Sequence, residues 1–442
     1  MALIKLKKGF DLNLKGKITL DQVGDETAST SFAIIPDDFT GIIPRMDKKE
    51  GEAVMAGEAI YHDKNDERIK VTSPVSGTLK QVVRGERRKI MAIVIEPDGK
   101  NNNKTLDTKE NPKAILLESG LWAMIRQRPY DIVPNADIRP RDIFITAFDS
   151  APLAPSLSVV MGENRKYLKK AVDVLSTITD GKVYLGCRAD DFIDDTGAVV
   201  NTFSGPHPAG NAGVQVANIK PVNKGEVVWT LDVVTAVRIG KLFETGTVDY
   251  STVVAITGPG INEPCYVNAT MGCTMSSLLN GRLVDDDKEK RIISGNVLTG
   301  VKESLDGYLH APYRHITVIN EINKKDEFMG WASLSPKKYS IYRVFTSWLL
   351  ARNKEVNLDA KLNGGERAIV LSGEYDRMLP MDIYAEFLIK AIIAFDIDKM
   401  EQLGIYEVAP EDFALAEFAD TSKLELQRIV REGLDKMRAE MC

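Results

Sequence analysis

The chain has 442 residues, of which 44% are hydrophobic and 27% are charged, as in an ordinary globular protein. This composition excludes a disordered or collagen-like chain, and the length predicts about three domains. Lys and Arg total 57 and Asp and Glu total 63, a net charge of −6. Such a charge gives the chain no overall attraction to nucleic acid or to an anionic membrane surface, so neither is expected as a direct partner.

The four cysteines are too few for a disulfide framework, and none forms a Cys-x-x-Cys site. A reduced, cytoplasmic location is therefore expected. Lysines interrupt the apolar start of the chain, which makes it a poor signal peptide. Apolar stretches stay shorter than the ~18 residues of a membrane span, so we expect no transmembrane helix and contact with a membrane only through partner proteins.

Residues 1–100 combine short β-prone runs with frequent glycine and proline, which is typical of a small barrel or sandwich. The stretch around Lys64 resembles biotinyl and lipoyl carrier domains, in which a lysine at a hairpin tip is acylated. Lys64 precedes Pro74 by ten residues, a longer spacing than in the carriers. A carrier-like β domain used structurally is therefore favoured over one that is modified at Lys64.

From residue 111 the pattern becomes α/β. Asn111 followed by Pro112 is a helix-capping pair and predicts a helix that continues to about Arg126. A strand at 141–147, apolar residues at helical spacing over 168–178 and a strand at 182–186 predict a parallel βαβ unit. The apolar run 226–237 predicts a further strand. We assign residues 111–250 to this α/β domain.

The next segment begins with a predicted strand at 253–257 and continues with Gly258-Pro259-Gly260. It starts like a dinucleotide fingerprint, but Glu263 occupies the third glycine position, where a carboxylate would repel pyrophosphate. Residues 251–330 are more similar to the soluble-ligand-binding β-grasp (SLBB) domain.

Residues 331–442 form a mixed segment that ends in a helical C-terminal domain. Apolar residues of the tail recur every three or four positions, which predicts an amphipathic helix with one buried face. The residues of this stripe are Leu426, Val430, Leu434, Met437 and Met441.

His207 lies between two prolines, so its imidazole is held on a restricted loop. It is a candidate proton donor or ligand contact, and a structural loop histidine is the alternative. The remaining histidines are scattered and show no metal-ligand spacing. No nucleophile elbow or phosphate-binding P-loop occurs in the sequence.

Several segments together resemble one family, the A subunits of the sodium-translocating NADH:quinone oxidoreductase (the Nqr complex). They occur in the family's order: KGFDL (8–12), SGLW (119–122), FSGPHPAG (203–210), IGKLFETG (239–246) and ISGNVLTG (293–300). The resemblance implies a carrier-like β domain, a Rossmann-like α/β domain related to the flavoprotein subunit of respiratory complex I, an SLBB domain and a helical C-terminal region.

The same resemblance implies a peripheral position for the chain, at the cytoplasmic face of the bacterial inner membrane. Five other subunits, integral membrane ones included, would complete a complex that couples NADH oxidation and quinone reduction to Na⁺ export. FAD, FMN, riboflavin and a [2Fe–2S] centre would belong to those subunits. This chain is expected to bind no cofactor and to be non-catalytic alone, because Trp122, Met124 and Arg126 stand where flavin-binding relatives have a glycine-rich loop.

The chain's own contribution is expected to be structural, together with contact to a quinone or a partner. A quinone head group needs hydrogen-bond donors for two carbonyl oxygens and apolar walls. Residue type selects four candidates: Trp122, Arg126, Arg128 and His207. For the two arginines, an ion pair with nearby carboxylates is the structural alternative. A stand-alone flavin/NADH dehydrogenase subunit of the complex I or Rnf type and a lipoyl- or biotin-like carrier module remain as alternative functions.

Overall fold

The computed structural model describes residues 2–25, 28–189, 196–321, 338–346, 349 and 355–441. Strands within these residues form four sheets. The first two strands are β1 (Ala2–Lys5) and β2 (Val23–Gly24). Although both lie within residues 1–100, which the sequence assigns to the β domain, β1 pairs in parallel with the α/β sheet and β2 pairs with the SLBB-like sheet. The N-terminal segment therefore ties the domains together.

The N-terminal β domain consists of a four-stranded and a three-stranded sheet. Its strands are β3 (Phe32–Ile34), β4 (Pro44–Met46), β5 (Ala53–Val54), β6 (Ala59–Asp63), β7 (Asp66–Thr72), β8 (Gly77–Arg84) and β9 (Ile90–Pro97). Alternate residues of β9, Ile93 and Ile95, are fully buried, as expected for a strand with one face on a core. Lys64 is exposed in the turn between β6 and β7.

The α/β domain is built on a six-stranded sheet in the order β1-β13-β12-β11-β14-β10, parallel except for β10. Its strands are β10 (Arg126–Arg128), β11 (Asp142–Thr146), β12 (Val183–Arg188), β13 (Val199–Ser204) and β14 (Val228–Asp232). Its helices are α1 (Pro112–Ser119), α2 (Leu157–Met161), α3 (Leu168–Thr177), α4 (Ala212–Ile219) and α5 (Val233–Thr245).

Side chains of β11 point alternately to the two faces of this sheet, and helices pack on both faces. Ile143 and Ile145 belong to the core that includes residues of α3 and α5, whereas Phe144 packs with Val216 of α4. The predicted βαβ unit is confirmed, because β11 and β12 pair in parallel and α3 lies between them in the chain.

Two elements of this domain end at other residues than the sequence predicts. The helix that begins after Asn111 stops at Ser119, because Gly120 adopts a left-handed conformation with φ 79° and terminates it. The run 226–237 is a strand only as far as Asp232. There the carboxylate accepts hydrogen bonds from the amides of Val234 and Thr235 and begins helix α5.

The SLBB-like sheet has the order β18-β17-β19-β15-β16-β2. Its elements are β15 (Ser251–Thr257), β16 (Cys265–Thr270), α6 (Met275–Leu279), β17 (Lys290–Ser294), β18 (Val301–Glu303) and β19 (His315–Asn320). The predicted strand at 253–257 is thus confirmed within β15. Residues 322–330 of the predicted domain lie outside the described residues.

The C-terminal region is helical, with α7 (Glu374–Met378), α8 (Ala385–Ala394), α9 (Ile397–Gln402), α10 (Ala414–Ala419) and α11 (Leu426–Met441). The predicted stripe is confirmed for four residues of α11, which are fully buried, while the terminal Met441 is 45% exposed. Among the helices of the described residues, none is long and apolar enough to cross a membrane. The start of this region, 331–337, lies outside the described residues.

Candidate functional site

A cavity of about 340 Å³ lies at the carboxyl ends of β11 and β14. Along the chain, β11, β12 and β13 extend the sheet in one direction, and β14 then pairs on the other side of β11. The strand order therefore reverses between β11 and β14, whose last residues, Thr146 and Asp232, are register partners. In open α/β sheets such a switch point is where ligands bind.

Four parts of the chain line this switch-point cavity. Asp38 comes from the N-terminal β domain, Arg126 and His207 from the α/β domain, His315 from the SLBB-like domain and Glu411 from the C-terminal region. The walls also carry apolar side chains: Phe39, Met124, Phe148, Leu157 and Leu231. The arrangement of an apolar cavity with a few converging polar groups at a domain junction is typical of a small-molecule site.

Two of the four sequence candidates line the cavity. Arg126 extends from β10, and its Nη2 donates to the carbonyl oxygen of Asp38. His207 lies in the loop after β13, is only 3% exposed, and has its Nδ1 3.0 Å from Ser150 Oγ. Within the described part of the chain, Arg126 Nη1 and His207 Nε2 have no hydrogen-bond partner although both are buried. Burial lowers the pKa of His207 to about 4, so it is neutral at pH 7.

The other two candidates lie outside the lining of this cavity. Trp122 is fully buried; its Nε1 donates to the carbonyl oxygen of Pro134, and its ring meets Trp229 edge-on at 4.9 Å. Arg128 donates to Asp412 Oδ2 at 2.9 Å and to Glu411 Oε1 at 3.2 Å. The ion-pair alternative thus describes Arg128, and these two side chains join parts of the fold.

Asp232 and Arg314 form an ion pair at the N-terminus of α5, at the edge of the cavity. Arg314 Nη2 lies 3.2 Å from Asp232 Oδ1, and Asp232 also caps the helix. Burial opposes the charge on Asp232, but Arg314 and the Thr235 hydroxyl outweigh it and lower the pKa of this carboxyl group. Since a carboxylate already occupies the helix N-terminus, a phosphate group has no vacant position there.

Sequence reasoning did not select Asp232, Arg314, His315 or Glu411 as site residues. Asp232 could have been predicted from the sequence, because an acidic residue directly after a strand is a common N-cap of the next helix in βα units. The other three come from domains far along the chain and carry no local signal. No group of three His, Cys, Asp or Glu residues is placed to hold a metal ion in the described ranges.

The fold and site define a multidomain protein whose parallel α/β domain shares a switch-point cavity with β and helical domains. Family models match three segments: "NqrA N-terminal barrel-sandwich hybrid domain" over 4–98, "NqrA second alpha/beta domain" over 107–248 and "NQRA C-terminal domain", an SLBB model, over 253–304. The chain belongs to the family of the A subunits of Na(+)-translocating NADH-quinone reductase.

The relatives that carry this family's name include proteins from Neisseria meningitidis serogroup B and from Yersinia pestis bv. Antiqua. Each is 34% identical over 99% of this chain and 100% of its own length. An NAD⁺-reducing [NiFe]-hydrogenase structure in the H₂-reduced state aligns with 48% of this chain and 47% of its own at 10% identity and a TM-score of 0.33, which carries no argument about this protein.

Proposed function

We propose that this chain is a peripheral component, at the cytoplasmic face of a bacterial inner membrane, of a complex that couples NADH oxidation and quinone reduction to Na⁺ export. Its likeness to the A subunits over the whole of both chains carries this proposal. Flavins and the iron–sulfur centre belong to other subunits, and the chain alone is not catalytic. The parallel strand order of its α/β domain is that of a Rossmann-like fold, and the relation to the complex I flavoprotein is proposed from the sequence resemblance.

Affinity purification of the tagged chain from its own membranes in mild detergent tests this assignment. We expect mass spectrometry to recover five other subunits, integral membrane proteins among them. Alkaline carbonate washing of the same membranes should release this chain and leave the integral subunits behind. Recovery of the chain alone from the soluble fraction would contradict the proposal, and a tagged soluble protein of similar size is the control.

Within the complex, the switch-point cavity is proposed to hold a quinone head group. The unpartnered Arg126 Nη1 carries this proposal, because a quinone offers carbonyl oxygens that accept hydrogen bonds from such a donor. His207 Nε2, also unpartnered, is a second donor in the tautomer that holds the ring hydrogen there. Apolar walls suit the ring. The Asp232 carboxylate at the start of α5 disfavours ligands with a phosphate, which include flavin mononucleotide and NADH.

Titration calorimetry with a short-chain ubiquinone analogue measures the contribution of each side chain. A hydrogen bond to a charged group contributes ~1.5–3 kcal/mol, which corresponds to a roughly ten- to hundredfold change in Kd. Arg126→Met is expected to weaken binding by at least about tenfold. His207→Phe removes a neutral donor, which contributes ~0.5–1.5 kcal/mol, and should weaken binding by about two- to tenfold. Arg68→Met, at an exposed arginine of the N-terminal β domain, is the matched control. Wild-type affinity in both site variants would exclude this cavity.

A further inference from the structure

Asp38 connects the SLBB-like domain to an arginine of the switch-point cavity. Its carboxylate is held by the loop between β18 and β19: Oδ1 lies 2.5 Å from His310 Nδ1, and Oδ2 accepts a hydrogen bond from the amide of Ala311 at 2.8 Å. Its main-chain carbonyl oxygen accepts a hydrogen bond from Arg126 Nη2. Asp38 and Arg126 both line the cavity. The position of Arg126 therefore depends on a residue that another domain holds in place.

His310 holds Asp38 through a charged imidazole. On the other side of the ring, Nε2 lies 3.0 Å from Glu303 Oε1, so each ring nitrogen faces a carboxylate. A neutral ring has one hydrogen and one lone pair, and its lone pair would repel one of the two carboxylates. Burial opposes the charge, but the hydrogen bonds with Asp38 and Glu303 outweigh it and raise the pKa of His310 to about 9. Loss of this proton weakens the grip on Asp38.

Other groups near His310 and the cavity titrate differently. The Tyr313 ring lies 6.4 Å from the His310 ring, and burial raises the pKa of its hydroxyl, so Tyr313 stays neutral in the range where His310 titrates. Burial lowers the pKa of His207 to about 4 and that of His315 to about 3, far below this range. Glu411 does titrate there, because burial and Asp412 raise its pKa to about 8. The effect of His310 is therefore measured against a variant that lacks it.

We propose that Asp38 and His310 are positioning residues of the switch-point cavity, and that charged His310 keeps Arg126 in the geometry that binds the ligand. This inference rests on the proposed quinone site. Correct placement of a donor contributes strongly to binding only while its support is rigid, and here the support is the Asp38 backbone. When His310 becomes neutral, Asp38 is free to shift, and Arg126 shifts with it. Ligand affinity and the proton on His310 are then linked.

Titration calorimetry of the full chain with a short-chain ubiquinone analogue at pH 7 and at pH 10 tests the link. A quinone has no group that titrates in this range, and circular dichroism at each pH checks that the chain is folded. We expect the Kd of His310→Gln to exceed that of the wild type by about fivefold or more at pH 7 and to equal it at pH 10. His62→Gln removes a histidine that also pairs with an aspartate, Asp47 at 2.6 Å, and should match the wild type at both pH values.

The linkage also predicts the reverse effect, which needs no substitution. Bound ligand must raise the pKa of His310 by the logarithm of the same factor, about 0.7 unit for a fivefold change. NMR titration of the chain with isotope-labelled histidine measures this shift. The chain has four histidines, and a pKa of about 9 distinguishes His310 from His207 and His315. The His62→Gln spectrum identifies the fourth.

The outcomes separate this inference from the proposed quinone site. Absence of binding by the wild type at either pH would overturn both. Binding with the same ratio of His310→Gln to wild-type Kd at pH 7 and pH 10 would overturn the role of the His310 proton and leave the quinone site intact. A His310 pKa that ligand binding leaves unchanged would overturn it too, and this result holds even if His310→Gln fails to fold.

Discussion

Replacing Arg128 with methionine is expected to lower the free energy of unfolding by about 3–5 kcal/mol, as for one partner of a buried ion pair. The Arg128 side chain is 1% exposed and that of Asp412 is fully buried, so water cannot compensate the carboxylate left behind. Burial opposes the charge on Arg128, but Asp412, Asp131 and Glu411 outweigh it and raise the pKa of the guanidinium. Urea denaturation followed by circular dichroism measures the loss.

A second substitution separates the ion pair from simple packing. Asp412→Asn in the Arg128→Met background removes the unpaired charge and keeps an oxygen for the amide of Ala409, which lies 2.9 Å from Asp412 Oδ2. We expect this double variant to recover most of the loss. Arg68→Met, at the exposed pairs with Asp66 and Asp137, should cost less than about 1 kcal/mol. Equal losses in Arg68→Met and Arg128→Met would contradict the burial argument.

The protein is expected to lose about 3 kcal/mol of stability between pH 6.5 and pH 9.5 through His310 alone, at ~1.4 kcal/mol per pKa unit. His310 Nδ1 lies 2.5 Å from Asp38 Oδ1 and its Nε2 lies 3.0 Å from Glu303 Oε1. Burial opposes the charged ring, but the two carboxylates outweigh it and raise the pKa of His310 from 6.5 to about 9.

The unfolding free energy falls as the pH rises, because the pKa of His310 is higher in the folded protein than in the unfolded chain. The stabilisation is fully present below the unfolded value of 6.5 and is lost as the pH rises through the folded value of about 9. Asp38 belongs to the N-terminal β domain and Glu303 to the SLBB-like sheet. Deprotonation of His310 therefore weakens the contact between these two domains.

His310→Gln removes this titration. Other groups also titrate in the window; burial and the adjacent Asp412 raise the pKa of Glu411 to about 8, for example. The measured quantity is therefore the difference in unfolding free energy between the wild type and His310→Gln, obtained from urea denaturation at each pH. It should be about 3 kcal/mol at pH 6.5 and shrink towards zero at pH 9.5. A difference that stays constant would rule out His310 as the titrating group, and Glu303→Gln should give an intermediate change.

The candidate site was predictable by residue type but not by position. Arg126 and His207 were selected as donors that a quinone requires, and both line the cavity. Trp122 and Arg128 have the same donor chemistry, yet Trp122 Nε1 donates to Pro134 and the two Nη atoms of Arg128 donate to Asp412 and Glu411. The sequence could not distinguish Arg126 and His207 from Trp122 and Arg128, since Asp412, the partner of Arg128, lies 284 residues away.

The sequence by itself determined the elements whose signal is local. Apolar spacing along α3 and α11, the capping residue Asn111 and the strand within β15 all follow from a few neighbouring side chains. Family likeness over the full length also required no structure. Element ends were missed where one residue decides them, as Gly120 does for α1 and Asp232 for α5.

Tertiary structure alone decided which polar groups meet. The cavity combines Asp38, Arg126, His315 and Glu411 from four parts of the chain, and only their packing brings these side chains together. The protonation states of His207, His310 and His315 likewise depend on burial and on partners distant in sequence, which lower two of the pKa values and raise the third. Desolvation and hydrogen bonding are properties of the folded surroundings, so histidine is neutral at two positions of this protein and a cation at a third.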